Sequence, residues 1–130
     1  MAQLTANFVA KQIVDSALKV HKAFGPGLLE SVYEAVLAHE LLKRGLPAIR
    51  QQGVPLVYEG MDLQIGFRAD LIVANLVIVE VKSVEFVAPV HKMQLLTYLR
   101  LTDKKLGLVI NFNVPLIRDG ITRVVNGLEE

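Results

Sequence analysis

Apolar residues recur at helical spacing in three stretches of the chain. In the first stretch, lysines and Asp15 separate the apolar positions, which is typical of an amphipathic helix. Gly25-Pro26-Gly27 ends that helix, and Gly45 provides a C-terminal cap for the second. Helices are therefore predicted over residues 6–23, over residues 28–44 and, opened by Pro89, over residues 90–101.

Between and after these helices the pattern is that of strands. A three-stranded antiparallel meander is predicted over residues 54–58, 63–73 and 76–82, with its first turn at Glu59-Gly60. A further buried strand is predicted over residues 106–112. Residues 116–118 and 121–125 flank Asp119-Gly120, a two-residue hairpin signal. The order is ααβββαβ plus a C-terminal β-hairpin, which predicts an α/β or α+β fold with a mixed β-sheet flanked by helices.

Charged residues interrupt the apolar hairpin of residues 68–82. Asp70 lies in its first strand, and Glu80 and Lys82 lie two apart in its second. Burying a charge costs several kcal/mol or more unless it is paired or binds a metal. Alternation places Glu80 and Lys82 on one face of their strand. It places Arg68, Asp70 and Ile72 together on one face of the other strand.

The turn of this hairpin decides whether the two acids can share a site. A two-residue turn would pair Asp70 with Val79 and put the acids on opposite faces. A shared site therefore predicts a loop over residues 74–76, or a bulge. Asn75 tolerates the left-handed conformation that such a loop often requires.

The second helix adds Glu30 and Glu34, four residues apart. At about 100° per residue, Glu30 lies within roughly 20° of the core positions Leu37 and Leu41. One interpretation is that these acids face the charged hairpin. The other is a solvated helix face, or acids stabilised by the positive end of the helix dipole.

Polar side chains on the third helix form a weaker signal. Gln94 and Tyr98 are four apart, and His91 lies three residues before Gln94, where it could contact a substrate. All three could equally be structural, and Arg68 could simply neutralise Asp70 or Glu80. His21 and His39 lie on helix faces away from the acids and are interpreted as packing or surface residues.

Composition narrows the class of protein. The chain has 130 residues, is 52% hydrophobic and has no cysteine, which excludes disulfides and cysteine nucleophiles. We expect one domain over residues 1–130, in the cytoplasm, with no signal peptide and no apolar run of the roughly 18 residues that a membrane helix needs. The net charge of +1 does not indicate a strongly basic nucleic-acid binder. The apolar excess and small size predict a homodimer, through the first helix or the terminal hairpin.

Two strand acids, a nearby lysine and an upstream helical acid together indicate a hard-cation site. Carboxylate oxygens suit Mg²⁺, which typically uses one or two protein carboxylates with waters and substrate phosphates. Such a metal lowers the pKa of a bound water and stabilises charge on a phosphate. Lys82 would orient that water or neutralise the phosphate.

The arrangement of Asp70 and Glu80-Val81-Lys82 resembles the PD-(D/E)xK nuclease superfamily. Gln94-x-x-x-Tyr98 is similar to the QxxxY motif of its exonuclease-like branch, and residues 27–33 (GLLESVY) are similar to the signature of the small GxxExxY protein family. The resemblance covers residues 13–125. One departure is Ala69, where the superfamily motif has proline.

The resemblance implies a restriction-endonuclease-like core and a set of site residues. Metal ligands would be Asp70, Glu80, the carbonyl of Val81 and the helical acid Glu30, holding Mg²⁺, with Mn²⁺ able to substitute. Lys82 would be the catalytic lysine. Gln94 and Tyr98 would contact the substrate strand or the lysine. Glu34, Arg68 and His91 are further candidate substrate contacts, chosen from their positions along the chain and not from the resemblance.

The leading hypothesis is therefore a Mg²⁺-dependent phosphodiesterase acting on DNA. The alternative is a non-catalytic nucleic-acid- or protein-binding module that retains the nuclease fold. RNA as the substrate is a third possibility, and the sequence does not decide among them.

Overall fold

A computed structural model describes residues 4–128 of the chain. The helices are α1 (Ala6–Phe24), α2 (Glu30–Lys43) and α3 (Pro89–Thr102), with a short 3-10 helix at Ile117–Gly120. The strands are β1 (Ala48–Val54), β2 (Val57–Tyr58), β3 (Met61–Asp62), β4 (Phe67–Val73), β5 (Val77–Lys82), β6 (Leu106–Asn111) and β7 (Ile121–Val125). All three predicted helices are confirmed, within two residues at each end. No helix in the described part of the chain is long and apolar enough to span a membrane.

Five strands form one mixed sheet in the order β1-β4-β5-β6-β7. The β1–β4, β4–β5 and β6–β7 pairs are antiparallel, whereas β5 and β6 are parallel. The parallel pair follows from chain order, because α3 connects β5 to β6 as a crossover. The predicted mixed sheet flanked by helices is confirmed.

Helices cover both faces of the sheet. The helices α1 and α2 pack on the face that carries Val77, Val79 and Val81 of β5. The opposite face, with Ile78 of β5, packs against Leu95 and Leu99 of α3. Since side chains alternate along a strand, Glu80 and Lys82 are on the α3 face with Ile78.

The predicted first strand of the meander is wrong. β4 pairs with Ala48–Val54, whereas Val57–Tyr58 pairs with Met61–Asp62 in a separate small hairpin. Pro55 lacks an N–H and follows the last residue of β1, which favours ending that strand there. The predicted turn at Glu59-Gly60 is present, and both residues have positive φ (47° and 79°).

The predicted C-terminal hairpin around Asp119-Gly120 is also wrong. Ile117–Gly120 is a 3-10 helix, and β7 pairs with the long β6 rather than with residues 116–118. Ile117 is buried, and Gly120 lies so close to β6 that a Cβ at this position would overlap the carbonyl oxygen of Asn111. The Asp-Gly pair therefore allows the 3-10 helix to lie close to β6 and does not form a tight turn.

Candidate active site

The β4–β5 hairpin has the three-residue loop that a shared acid site requires. The pairs Val73↔Val77, Ile72↔Ile78 and Leu71↔Val79 leave residues 74–76 as the loop. Ala74 and Asn75 both have positive φ (51° and 56°). This register sets Asp70 opposite Glu80 one step further along the hairpin, so the predicted loop length is confirmed.

The two strands separate just where these acids lie. The paired residues end at Leu71↔Val79, and the N–H of Val81 donates to Asp70 Oδ2 at 2.8 Å instead of to a strand carbonyl. The N–H and C=O of a strand residue point to the same side. The carbonyl of Val81 is therefore directed toward the gap beside Asp70 as well.

Strict alternation in β4 breaks at Asp70. Ala69 and Ile72 are three residues apart, yet both belong to the layer under α3, whereas Leu71 belongs to the opposite layer. The prediction that Arg68, Asp70 and Ile72 share one face of a regular strand is thus wrong. The irregularity lets the Asp70 carboxylate lie in the gap between strands, in reach of groups from both layers.

Glu80 is the most perturbed acid of the hairpin. Its side chain is 5% exposed, and its Oε1 has no hydrogen-bond partner among the described residues. Burial and, next, the adjacent Asp70 carboxyl together raise the pKa of the Glu80 carboxyl to about 9, while the Lys82 ammonium acts in the opposite direction. A buried carboxylate beside a second carboxylate has a strong electrostatic demand for a cation.

Lys82 provides a positive charge close to Glu80. It is half-buried at the end of β5, on the same face as Glu80. No hydrogen bond or ion pair joins its ammonium group to another residue within the range 4–128. Lys82 is thus a cation within electrostatic reach of Glu80 that makes no ion pair with another residue of the described range.

Tyr98 brings α3 to the same place. Its ring stacks on Phe67 of β4 with centroids 3.8 Å apart. Burial raises the pKa of the Tyr98 phenol, the charges of Glu80 and Asp70 raise it further, and a hydrogen bond with Gln94 lowers it. Tyr98 therefore lies within electrostatic reach of both acids, with Gln94 as its neighbour.

The structure gives each of the three histidines a different environment. Nδ1 of His91 accepts the N–H of Ala88 at 3.2 Å and so caps the start of α3. His21 is buried, with Nε2 2.8 Å from the carbonyl of Val114, and His39 is exposed. The packing and surface interpretation holds for His21 and His39, and the proposed substrate contact of His91 stays a prediction.

Glu30 lines one pocket together with Asp70, Glu34 and Gln51. It is the first residue of α2, which packs on the face of the sheet opposite to Glu80. Its Oε2 accepts the N–H of Ser83 at 2.9 Å, directly after Lys82. Within residues 4–128, no group of three or more acidic or histidine side chains is arranged to hold a metal ion. The convergence of Glu30, Asp70 and Glu80 on one ion therefore stays a prediction.

Glu34 is buried, so its interpretation as part of a solvated helix face is wrong. Its Oε1 is 3.2 Å from Nε of Arg50, and its Oε2 accepts a hydrogen bond from Gln51 at 3.0 Å. Arg68 is exposed and donates to the carbonyl of Gln51 at 3.4 Å. No ion pair joins Arg68 to Asp70 or Glu80 in the described chain, so it does not neutralise them as considered above.

Tyr33, the last residue of the GLLESVY stretch, was missed as a determinant of the site. It is fully buried and stacks on Phe112 at 4.4 Å. Its hydroxyl donates to the carbonyl of Gly25 and accepts the N–H of Leu28 at 3.1 Å. Ser83 Oγ donates to the carbonyl of Leu28 at 2.9 Å, which ties the same loop to the end of β5. The sequence signal for this role was a tyrosine three residues after Glu30, in a stretch preceded by Gly25 and Gly27.

Tyr33→Phe is expected to lower the free energy of unfolding by about 1–3 kcal/mol, because it removes two part-buried hydrogen bonds, with the N–H of Leu28 and the carbonyl of Gly25. The midpoint and slope of urea unfolding would measure this. Tyr58→Phe is the matched control, since Tyr58 is 62% exposed. Equal midpoints for the two variants would contradict the role of the Tyr33 hydroxyl.

The donor set fits a divalent cation. Asp70, the unpaired Oε1 of Glu80 and the carbonyl of Val81 are hard oxygen donors in one gap. Mg²⁺ is commonly held by only one or two carboxylates, with water completing its coordination. The two acids suffice without Glu30, and the buried unpaired oxygen of Glu80 is the feature that a cation would satisfy.

Comparison with known proteins agrees with this geometry. A family profile described as the PD-(D/E)XK nuclease superfamily matches residues 7–124. Neither the curated proteins nor the solved structures include a significant match to the chain. The match extends over all three helices and the whole five-stranded sheet, and the fold is consistent with a restriction-endonuclease-like core. The chain belongs to the PD-(D/E)XK nuclease superfamily.

Proposed function

We propose that this protein is a metal-dependent nuclease that hydrolyses phosphodiester bonds of DNA. Membership of a nuclease superfamily supports nuclease chemistry and nucleic-acid binding in general. The observation that carries the proposal for this chain is the set of Asp70, Glu80 and Lys82 at one opening of the hairpin. There, among the described residues, one buried oxygen of Glu80 has no hydrogen-bond partner, and Lys82 acts electrostatically on Glu80 without forming an ion pair.

Asp70, Glu80 and the Val81 carbonyl would hold Mg²⁺, with Mn²⁺ able to substitute. When bound, the metal would supply Lewis-acid polarisation of a phosphoryl oxygen and a lowered pKa of water. Glu30, proposed from the family resemblance as a further ligand, bonds to the N–H of Ser83. We propose that it acts mainly by holding the end of β5, and with it Lys82.

Lys82 would orient the attacking water or offset the charge that develops on the phosphate during hydrolysis. Gln94 and Tyr98 would contact the substrate strand from α3, and His91 and Arg68 would contribute at the margin of the site. Glu34 belongs to the same proposal, although both of its oxygens already have protein partners. Its contribution would be to the shape of the site.

The finer classification is part of the proposal. The GLLESVY stretch supports placement with the small GxxExxY proteins, and in this chain Tyr33 and Glu30 secure the loop before α2 to the end of β5. The whole chain would be one catalytic domain. It would form a homodimer through exposed apolar side chains of α1, such as Phe8 and Leu18, and light scattering at micromolar concentration measures this directly.

A second candidate is a non-catalytic module that binds nucleic acid or protein. The observations that favour it are the net charge of +1 and the large exposed apolar side chains near the site, such as Leu29 and Phe86, which are 72% and 77% exposed. Such a module need not bind metal through Asp70 and Glu80.

One set of measurements separates the two candidates. Single-stranded, duplex and branched DNA, and RNA, are incubated with the protein in Mg²⁺, in Mn²⁺ and in EDTA, and Mn²⁺ uptake is measured by calorimetry. Cleavage of DNA that EDTA abolishes, and Mn²⁺ binding that Asp70→Asn abolishes, are expected. If no substrate is cut and Asp70→Asn binds Mn²⁺ as the wild type does, the nuclease proposal fails.

A further inference from the structure

Gln51 joins two carboxylates that belong to different parts of the molecule. Its Nε2 lies 3.0 Å from Oε2 of Glu34 on α2 and 3.2 Å from Oδ1 of Asp70 on β4. Carboxylates only accept hydrogen bonds, so the group that faces both of them must be the NH₂ of the amide. Each of its two hydrogens has one acid to bind.

Glu34, at the other end of this connection from Asp70, is held in place by Arg50. Glu34 is buried, and its other oxygen is 3.2 Å from Nε of Arg50. The guanidinium neutralises Glu34 and holds it in place, since a charge-assisted hydrogen bond is stronger than a neutral one. A series of contacts therefore runs from Arg50 through Glu34 and Gln51 to Asp70.

The backbone of Gln51 is strained, in the middle of a strand. Its φ is +51°, although its neighbours pair regularly as Arg50↔Leu71 and Gln52↔Ala69. A left-handed conformation costs a residue other than glycine roughly 1–2 kcal/mol. Gln51 stands opposite Asp70, at the step where β4 also loses its alternation. The strain thus coincides with the contact to the candidate metal ligand.

We propose that Gln51 is a positioning residue that holds the Asp70 carboxylate in the geometry required for the cation. The amide restrains Oδ1 of Asp70 while the N–H of Val81 restrains Oδ2, so rotation of the carboxylate is limited from both sides. The remaining lone pairs of Asp70 are then directed toward the gap shared with Glu80. Nothing in the residue's sequence neighbourhood, a Gln-Gln pair on an edge strand, indicates this role.

This inference rests on the proposed function, because it assumes that Asp70 binds a metal. Groups that orient a metal ligand commonly contribute about 10–100-fold to metal affinity. Losing the amide is therefore expected to weaken Mn²⁺ binding about tenfold and to lower kcat about as much. KM for DNA is expected to stay within about twofold. Of the proposed substrate contacts, Gln51 bonds to Glu34, whose two oxygens already have protein partners, and to Arg68 only through its own main-chain carbonyl.

Two variants separate the side chain from the strained backbone. Gln51→Gly removes the amide and suits the φ of +51°, so it relieves strain while removing the contact. Gln51→Met keeps the volume of the side chain without a donor. The same changes at Gln52, the exposed neighbour in the strand with no side-chain contact to either acid, are the matched controls.

The Mn²⁺ dissociation constant by calorimetry, kcat and KM for DNA cleavage, and the urea midpoint of the metal-free protein are measured for all four variants. Weaker Mn²⁺ binding in both Gln51 variants but in neither Gln52 variant supports the inference. Wild-type affinity in Gln51→Gly overturns it while the nuclease proposal stands, as does a lowered urea midpoint with unchanged affinity. A wild-type protein that neither binds Mn²⁺ nor cuts DNA overturns both.

Discussion

Glu80→Gln is expected to abolish metal-dependent cleavage and, at the same time, to make the metal-free protein more stable. The glutamine keeps the size of the side chain but cannot supply a negative oxygen, so a loss of at least about 100-fold in kcat is expected. The gain in stability follows from the pKa of the Glu80 carboxyl, which burial and Asp70 raise from the ordinary 4.5 to about 9 in the folded state.

The sign of the pH dependence follows from this difference. Above pH 4.5 the unfolded chain releases the proton, whereas the folded protein retains it until about pH 9, so the wild type loses stability as pH rises between these values. At pH 7 the difference amounts to at most about 3 kcal/mol, because each pH unit above the unfolded pKa contributes about 1.4 kcal/mol. The Glu80→Gln variant does not lose stability in this way as pH rises, because the amide of glutamine does not titrate.

Urea unfolding in EDTA at pH 5 and pH 7 measures the effect. The variant is expected to exceed the wild type clearly at pH 7 and to approach it at pH 5. Glu85→Gln, in the exposed loop after β5, is the matched control and should change neither stability nor cleavage. A Glu80→Gln protein that is less stable than the wild type at pH 7 would contradict the idea that Glu80 is an unsatisfied acid.

Lys82→Met is expected to lower kcat by about 10²–10³-fold, the usual effect of removing one preorganised group that stabilises transition-state charge. Methionine keeps much of the unbranched apolar stem but removes the ammonium group. Because Lys82 has no ion-pair partner within residues 4–128, little of the fold depends on its charge. KM for DNA and the affinity for Mn²⁺ should change far less than kcat.

Single-turnover cleavage in saturating Mn²⁺, with calorimetry for metal binding, tests this expectation. Lys11→Met on the exposed face of α1 is the matched control. Equal losses of kcat in the two variants would refute a special role for Lys82. A loss of Mn²⁺ affinity in Lys82→Met as large as its loss of kcat would assign the residue to the binding of the metal.

Local signals were sufficient for the helices. Pro89 begins α3, and Gly25 follows the last residue of α1. Both helix ends could be predicted because proline and glycine each favour particular backbone conformations. The loop at residues 74–76 was predicted from the assumption that Asp70 and Glu80 share a site, with a bulge as the alternative, and the pairing of β4 with β5 shows the loop.

Partner choice between strands was not predictable. Residues 48–54 (AIRQQGV) have three consecutive polar residues at their centre and form an edge strand, so the apolar pattern favoured residues 54–58 instead. The Asp119-Gly120 pair has the composition of a tight turn, but burial of Ile117 and pairing of β7 with β6 stabilise another arrangement. In both cases, contacts between residues distant in sequence outweighed local preference.

The positions of the acids were likewise only partly predictable from the sequence. Helix periodicity put Glu30 on the side of the core residues of its helix, whereas Glu30 is exposed at the first position of α2. Periodicity also could not say on which face of the sheet that helix packs. Glu30 lines the pocket beside Asp70 and accepts the N–H of Ser83. Gln51 reaches Asp70 only because β1 and β4 are adjacent and Gln51 adopts a positive φ.

The sequence by itself determined the elements that carry charge, the spacing of Glu80 and Lys82 on one strand, and the loop that sets Asp70 opposite Glu80. These follow from properties local to a strand or a turn: the alternation of side chains and the φ that each residue allows. Only the tertiary structure decided that β4 and β5 separate at Asp70, that Glu80 is buried without a partner, and that Gln51 and Tyr33 support the site from elsewhere. Burial and hydrogen-bond partners depend on how layers pack, and packing joins residues that the chain keeps far apart.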